Sequence, residues 1–340
     1  MANAIKSKLS GLVPRFEGVF AGAFRDGLIG GTVLFALLSG WMAMRSTDTA
    51  WKLQEFLPSK SATIEEKQET PVAEAQPGLE EVRKLNALTP APIVGLAENF
   101  EGRQLPIIRI EDDMTSFQAY KKPFAPVAGR PMVSIVVIDF GLSDMLSKSI
   151  LDNMPPEISL GLSPYSDAPS KWGSAARAYG HEFWIGLPMQ TREYGVDDSG
   201  PSTLLVNANE DENRKRLFTI LSEASGYAGV IAQKDHEFPP AGSVSEPIYK
   251  QIFGRGLAIA ESNPDTAAFG LSAAMQDGYP YVQNTMWLDA DLRPDAVERS
   301  LQQLERLAQQ NGKAVAFLHP YPAVMNKVQD WIKTADDKGI

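Results

Sequence analysis

From Met132 onward, short apolar runs of strand length alternate with segments whose apolar residues recur every three or four positions. These are the marks of buried strands and of amphipathic helices. The strand candidates are Val133–Asp139, Ile158–Leu162, Glu182–Leu187, Ala228–Ala232, Leu257–Glu261, Tyr281–Thr285 and Ala314–His319. Between them, "DENRKRLFTILSEASG" puts Leu217, Ile220 and Leu221 on one helical face and stops at Gly226. "RPDAVERSLQQLERLAQQNG" carries Pro294 near its start, Gly312 at its end, and a stripe of Val297, Leu301, Leu304, Leu307 and Ala308. Strands alternating with helices imply a largely parallel sheet with right-handed crossovers. Seven strands are too many for a small two-layer unit and suit a distorted barrel. No internal repeat is visible.

The first hundred residues follow other patterns. Gly27 to Met44 is an uncharged run of 18 residues between Asp26 and Arg45. At ~1.5 Å per residue it spans ~27 Å, close to the ~30 Å of a hydrocarbon core. Lys6, Lys8, Arg15 and Arg25 precede it, so the positive-inside rule makes residues 1–26 a cytoplasmic tail, 27–45 a transmembrane helix and the remainder periplasmic. A cleaved signal peptide or a buried core helix are the other readings, but the run exceeds a usual signal core and the segment before it is long for a signal. Residues 46–102 are rich in Glu, Pro, Ala, Gln and Thr without a sustained apolar period, the signature of a flexible linker. Such a linker reaches roughly 40 Å. "LPIIRIEDD", Leu105 to Asp113, reads as an edge strand or an ordered arm leading into the domain at 103–340.

Composition narrows the function. A net charge of −10 and the lack of any basic patch argue against nucleic acid. Hydrophobic residues make up 44% of the chain, ample for a sizeable core, and the lack of cysteine removes thiolate metal sites and cysteine nucleophiles. No G-x-S-x-G elbow is present, which sets aside a serine esterase.

In an α/β barrel, functional side chains gather at the carboxyl ends of the strands. Those ends read Asp139, "SPYS", "LPMQ", "IAQKDH", "ESN", "QNTMWLD" and "HPYP". Of the three histidines, His319 ends a strand, His236 falls on a loop, and His181 precedes a strand and should lie at the opposite end. Trp184, Trp287, Tyr165 and Tyr321 fall near strand ends, where flat rings stack on sugars or pack as core.

The blocks "IVVIDFGLS", "PPEISLGLSPYS", "ARAYGHEFWIGLPMQTREYGVDDSGPSTLL", Glu212-Asn213, "GYAGV", "RGL", "WLD" and "AVAFLHPYP" together resemble the divergent polysaccharide deacetylase family, relatives of the NodB-like carbohydrate esterases, from about Gly102 to Thr334. The resemblance implies a deformed seven-stranded (β/α) barrel. It also implies a chemistry in which a divalent metal, usually zinc, held by two histidines and a carboxylate, activates water beside an Asp base. The family's paired acids fall on Asp139 and Phe140. Its histidine after "GYAGV" falls on Gln233, an aspartate on Glu261, an acid on Asn284, and a Glu on Gly186.

Only Asp139, Glu261 and His319 keep suitable side chains, leaving Asp139 as a vestigial base. A pseudoenzyme is therefore expected, with no cofactor and with Trp287, Tyr321, Gln233 and Glu261 as binding residues. Phe140, Trp287 and Tyr321 should stand near the mouth of an interaction surface for an envelope protein or for peptidoglycan or another glycan. The alternative is an active N-deacetylase in which His319, Asp139 and His236 hold zinc.

Overall fold

The computed structural model describes residues 86–191, 199–233, 244–263 and 268–340. The expected tail, transmembrane helix and most of the linker lie outside these residues, as does His236. Among the described residues no helix is long and apolar enough to cross a membrane.

All the expected strands form: β3 (Met132–Phe140), β4 (Ser159–Leu162), β5 (Phe183–Pro188), β6 (Gly229–Gln233), β7 (Ala258–Glu261), β8 (Tyr281–Gln283) and β10 (Lys313–Leu318). The expected count of seven is corrected to eight. Tyr281–Thr285 stops at Gln283, and a further short strand, β9 (Met286–Trp287), pairs with β10. The sheet is parallel throughout, in the order β8-β7-β6-β5-β4-β3-β10-β9.

Its two edge strands are separated in the chain only by Asn284 and Thr285, a step of roughly 10 Å at most. The sheet must therefore curl until its edges meet. Asn284 N–H donates to the Glu261 carbonyl of β7, the strand beside one edge, at 2.9 Å, and Thr285 N–H to the Val315 carbonyl of β10, the strand beside the other, at 2.8 Å.

The helices pack outside the curl. α2 (Asp144–Asn153), α3 (Pro169–Ala178), α4 (Glu210–Leu221), α5 (Ser245–Gly254), α6 (Ala268–Asp277), α7 (Pro294–Asn311) and α8 (Pro322–Ala335) follow their strands; a short α1 (Ser116–Tyr120) precedes β3. α7 starts at Pro294, buries Val297, Leu301, Leu304 and Ala308, and stops at Gly312, whose φ of 76° suits a left-handed cap. α4 ends earlier than expected, at Leu221 rather than Gly226. Two apolar layers result. The larger lies between sheet and helices, and the smaller, made of Val136, Ile138, Trp184, Ile231, Ala260, Phe317 and their neighbours, fills the inside of the curl.

The expected linker boundary at 102 lies too far along the chain. Leu96 is buried, Leu88 N–H donates to the Arg177 carbonyl, and buried Arg177 donates back through Nε to the Thr89 carbonyl at 2.6 Å. Residues 97–106 form a separate hairpin, β1 (Ala97–Phe100) with β2 (Arg103–Pro106), so the arm before α1 is ordered but is no edge of the main sheet. His181 lies at the amino-terminal end of the strands, as expected, with Nδ1 2.8 Å from the Ile158 carbonyl. Burial pushes its pKa down. Trp184 sits at that end too, buried in the inner layer with its indole N–H on Glu182, and is core rather than a sugar platform.

Candidate functional site

The site is built around a break in β3. Residues of a regular strand point alternately to the two faces: Val137 joins the helix-facing layer and Ile138 the inner one. At Asp139 the alternation fails. Three steps on β3, Val137 to Phe140, match two on β4, Leu160 to Leu162, and Asp139 takes a φ of 57°. A bulge of this kind re-aims a side chain, and Asp is among the few residues that tolerate a left-handed backbone. Asp139 is thereby turned toward the cavities at the carboxyl end of the sheet, and Phe140 away from them. Gly141 follows with a φ of 92° and donates its N–H to Ser147 Oγ at 2.8 Å, which fixes the turn into α2.

Phe140 does not stand at a mouth, as expected from sequence. It is fully buried in the helix-facing layer, edge-on to Trp172 with ring centroids 5.6 Å apart. Glu261 is also corrected. Its neighbour Ala260 takes the inner face, and Glu261 points outward beneath α5 and α6, where Tyr249 donates to it at 2.5 Å. Glu261 is therefore not a wall of the concave site.

Beside Asp139, His319 ends β10. Its Nε2 is 4.0 Å from Asp139 Oδ2, and its Nδ1 is 2.7 Å from Asp289 Oδ2. The same carboxylate oxygen accepts the His319 backbone N–H at 2.8 Å. Asp289 was missed in the sequence as a functional candidate. Because Trp287 is level with Phe317 across β9 and β10, Asp289 comes level with His319, a relation visible only once that pairing is known.

Trp287 stacks on the imidazole at 5.1 Å and 17°, while its other contact, edge-on to Phe317, ties it to the inner core. Tyr321 tilts over the same ring at 5.7 Å and is the more open of the two, at 45% exposure. The hydrogen bond to Asp289 holds the His319 pKa up, with the negative charges of Asp289 and Asp139 adding to it against burial. Burial raises that of Asp139, which His319 partly offsets. Both groups thus have raised pKa values, the carboxyl through burial and the imidazole through its bond to Asp289.

Two cavities meet at Asp139. The larger, ≈ 410 Å³, has Ser163, Tyr165, Thr191 and Gln233 set among apolar walls such as Leu162, Met189 and Ile231, with Gly161 and Gly186. The smaller, ≈ 230 Å³, lies between the start of α2 and the turn after β10. Asn284, at an expected acidic position, is a structural pin: its amide donates to the Ser262 carbonyl at 2.9 Å and accepts the Met286 N–H at 3.0 Å. A carboxylate could not make the first bond. Among the described residues no group of three His, Asp or Glu could hold a metal. Asp139 and His319 fall one protein ligand short of a catalytic zinc site, Gln233 is a poor substitute, and Phe140 cannot reach. The described residues do not fit the family's metal.

The matching family model is the divergent polysaccharide deacetylase, over residues 135–340. The chain belongs to that family. An uncharacterized Escherichia coli (strain K12) protein, YibQ, is 22% identical over 221 residues, 65% of this chain and 68% of that protein. The crystal structure of an uncharacterized Agrobacterium tumefaciens C58 protein, ATU2773, matches with a TM-score of 0.65 at 27% identity, covering 70% of this chain and 96% of that one.

Proposed function

We propose that this protein is a membrane-anchored, periplasmic deacetylase-like pseudoenzyme that binds a neutral glycan of the cell envelope in the concave top of its barrel. The observation that carries this reading is the direction of Phe140, a ring packed into the core where the family places its second carboxylate. The larger cavity supports the choice of ligand. It offers hydroxyls and an amide and, among its described walls, no Lys or Arg to attract an anion. The uncharged run Gly27–Met44 with basic residues before it supports an inner-membrane anchor with the domain on the periplasmic side. An envelope-protein partner at Tyr321 is the competing occupant.

The test uses the full chain in lipid nanodiscs, purified without chelator, assayed for zinc and titrated with N-acetylglucosamine oligomers. The expected result is well under one equivalent of zinc, saturable binding and no acetate release. Stoichiometric zinc that is lost in His236→Ala, together with acetate release, overturns it. Retention in membranes after high-salt and carbonate washing checks the anchor; a trimmed soluble form refutes it. The second reading, an active deacetylase with an altered ligand set, is favoured by one observation. Asp139 stays beside an imidazole that Asp289 orients, as an acid–base site would need. The same zinc and acetate measurements decide between the two.

A further inference from the structure

The two cavities that meet at Asp139 differ in chemistry. The larger sets Ser163, Tyr165, Thr191 and Gln233 among apolar walls such as Leu162, Met189 and Ile231, with Ser163 Oγ and the Tyr165 hydroxyl each accepting one backbone N–H. The smaller is walled by Leu142, Leu146, Ile150, Pro320 and Tyr321. Its serines are already used inside the fold, Ser143 Oγ accepting the Leu146 N–H and Ser147 Oγ the Gly141 N–H. Large apolar side chains stand open at its edge: Leu142 is 54% exposed and Tyr321 45%. Apolar surface left open in a concavity marks a place for an apolar ligand group.

Asp139 lines both chambers, and His319 beside it lines the smaller. Nδ1 of His319 is engaged by Asp289, so Nε2 is the atom turned to Asp139, 4.0 Å away. A carboxylate oxygen and a ring nitrogen side by side can meet the two polar groups of a secondary amide, its N–H and its C=O.

We propose that the site binds an N-acylated amino sugar whose acyl chain is longer than acetyl, with the sugar in the larger chamber, the amide at Asp139 and His319, and the chain in the smaller chamber. This rests on the reading of the concave top as a glycan site and names the ligand class for it. A sugar alone would leave the smaller, apolar chamber open to water, and a lipid alone would leave the polar side chains of the larger chamber unused. An anionic head group would meet Asp139 and no Lys or Arg among the described walls of either chamber.

The experiment is a titration of the full chain in nanodiscs, with empty nanodiscs as blank, against glucosamine disaccharides bearing N-acetyl, N-butyryl and N-hexanoyl groups. A hexyl glycoside of the same sugar, which has the chain but no amide, forms the second arm. Affinity should rise about fourfold per added methylene, from the usual value of burying one, and the hexyl glycoside should lag well behind the hexanoyl amide. Leu146→Trp, which fills the small chamber, should flatten the series. Should that variant fail to fold, Leu146→Asp places a charge in the wall of the small chamber alone and should flatten it too. N-acetyl binding with no chain-length dependence overturns this inference while leaving the glycan reading intact. Equal gains for the hexyl glycoside overturn the amide assignment. No binding of any sugar overturns the glycan reading, and the inference falls with it.

Discussion

Replacing Phe140 with Asp restores the paired acids of the family's motif on paper, yet in this fold it should destroy stability rather than build a metal site. Phe140 has no exposed surface and packs against Trp172 in the layer between sheet and helices. Removing such a ring costs about 3–5 kcal/mol, as in Phe→Ala. Asp adds the cost of a buried polar group without a partner, at least about 1–3 kcal/mol, and more if it stays ionised. Against a typical stability of about 5–15 kcal/mol, the sum consumes much of the total. Phe140→Ala should lower the melting temperature by roughly 6–20 °C, at about 2–4 °C per kcal/mol for a domain of this size. Phe140→Asp should fall further or fail to fold. The assay is thermal unfolding of wild type, Phe140→Ala and Phe140→Asp, with zinc measured on each. A folded Phe140→Asp that melts near wild type and takes up zinc would refute the reasoning, because its carboxylate would then have to face the cavity.

Asp289→Asn should lower the pKa of His319 in an NMR titration, since the hydrogen bond and charge of Asp289 hold it up. His319 is raised in the folded state, so its stabilising contribution is full below its unfolded pKa of about 6.5 and is lost as pH rises through the folded value; the variant should lack that pH-dependent increment in denaturant unfolding. Asn284→Asp removes the donor to the Ser262 carbonyl and should cost about 1–3 kcal/mol, read as a melting temperature lower by several degrees. Gly186→Ala should leave the melting temperature nearly unchanged, because its Cβ would meet Pro164, Gln233 and Leu162 at ordinary contact distances of 3.4–3.5 Å. Gly229→Ala should not fold normally, since its Cβ would lie 2.3 Å from the Ala258 carbonyl oxygen.

Strand positions were legible in the sequence because parallel strands buried on both faces are near-continuous apolar runs. The same property hid which way each residue points. Where both faces are apolar, nothing in the pattern marks which alternate residues face inward, so Phe140 and Glu261 could be placed at strand ends but not on a face. At Asp139 even a known parity would have misled, because the bulge inserts one residue and reverses the alternation. Asp289 lay unused in a motif already marked as a strand end, since its relation to His319 depends on pairing between β9 and β10. The ordered arm from residue 86 was hidden for another reason. Its hold on the barrel comes from single contacts, such as Leu88 and Thr89 on Arg177, rather than from any periodic stripe.

The former ligand positions and the retained polar groups have gone separate ways, and the difference bears on function. Phe140 fills core and Asn284 pins the two sheet edges, so each has a structural reason for being what it is. Asp139 has none of comparable weight. Its side chain is 35% exposed toward the cavities, and its left-handed backbone costs on the order of 1–3 kcal/mol. Asp289 is buried, with 2% of its side chain exposed, and makes two hydrogen bonds that both go to His319. A fold that needed only to stand would gain by relaxing Asp139 into a regular strand and by replacing the buried Asp289 carboxylate, with its half-open partner His319, by apolar packing. These features cost stability at one place, beside Asp139 where the two chambers meet, and a ligand's polar atoms would meet them there. Such a retained cost is what the proposed amide-recognising site requires, and Asp289→Asn should weaken binding of the N-acyl disaccharides more than that of the hexyl glycoside.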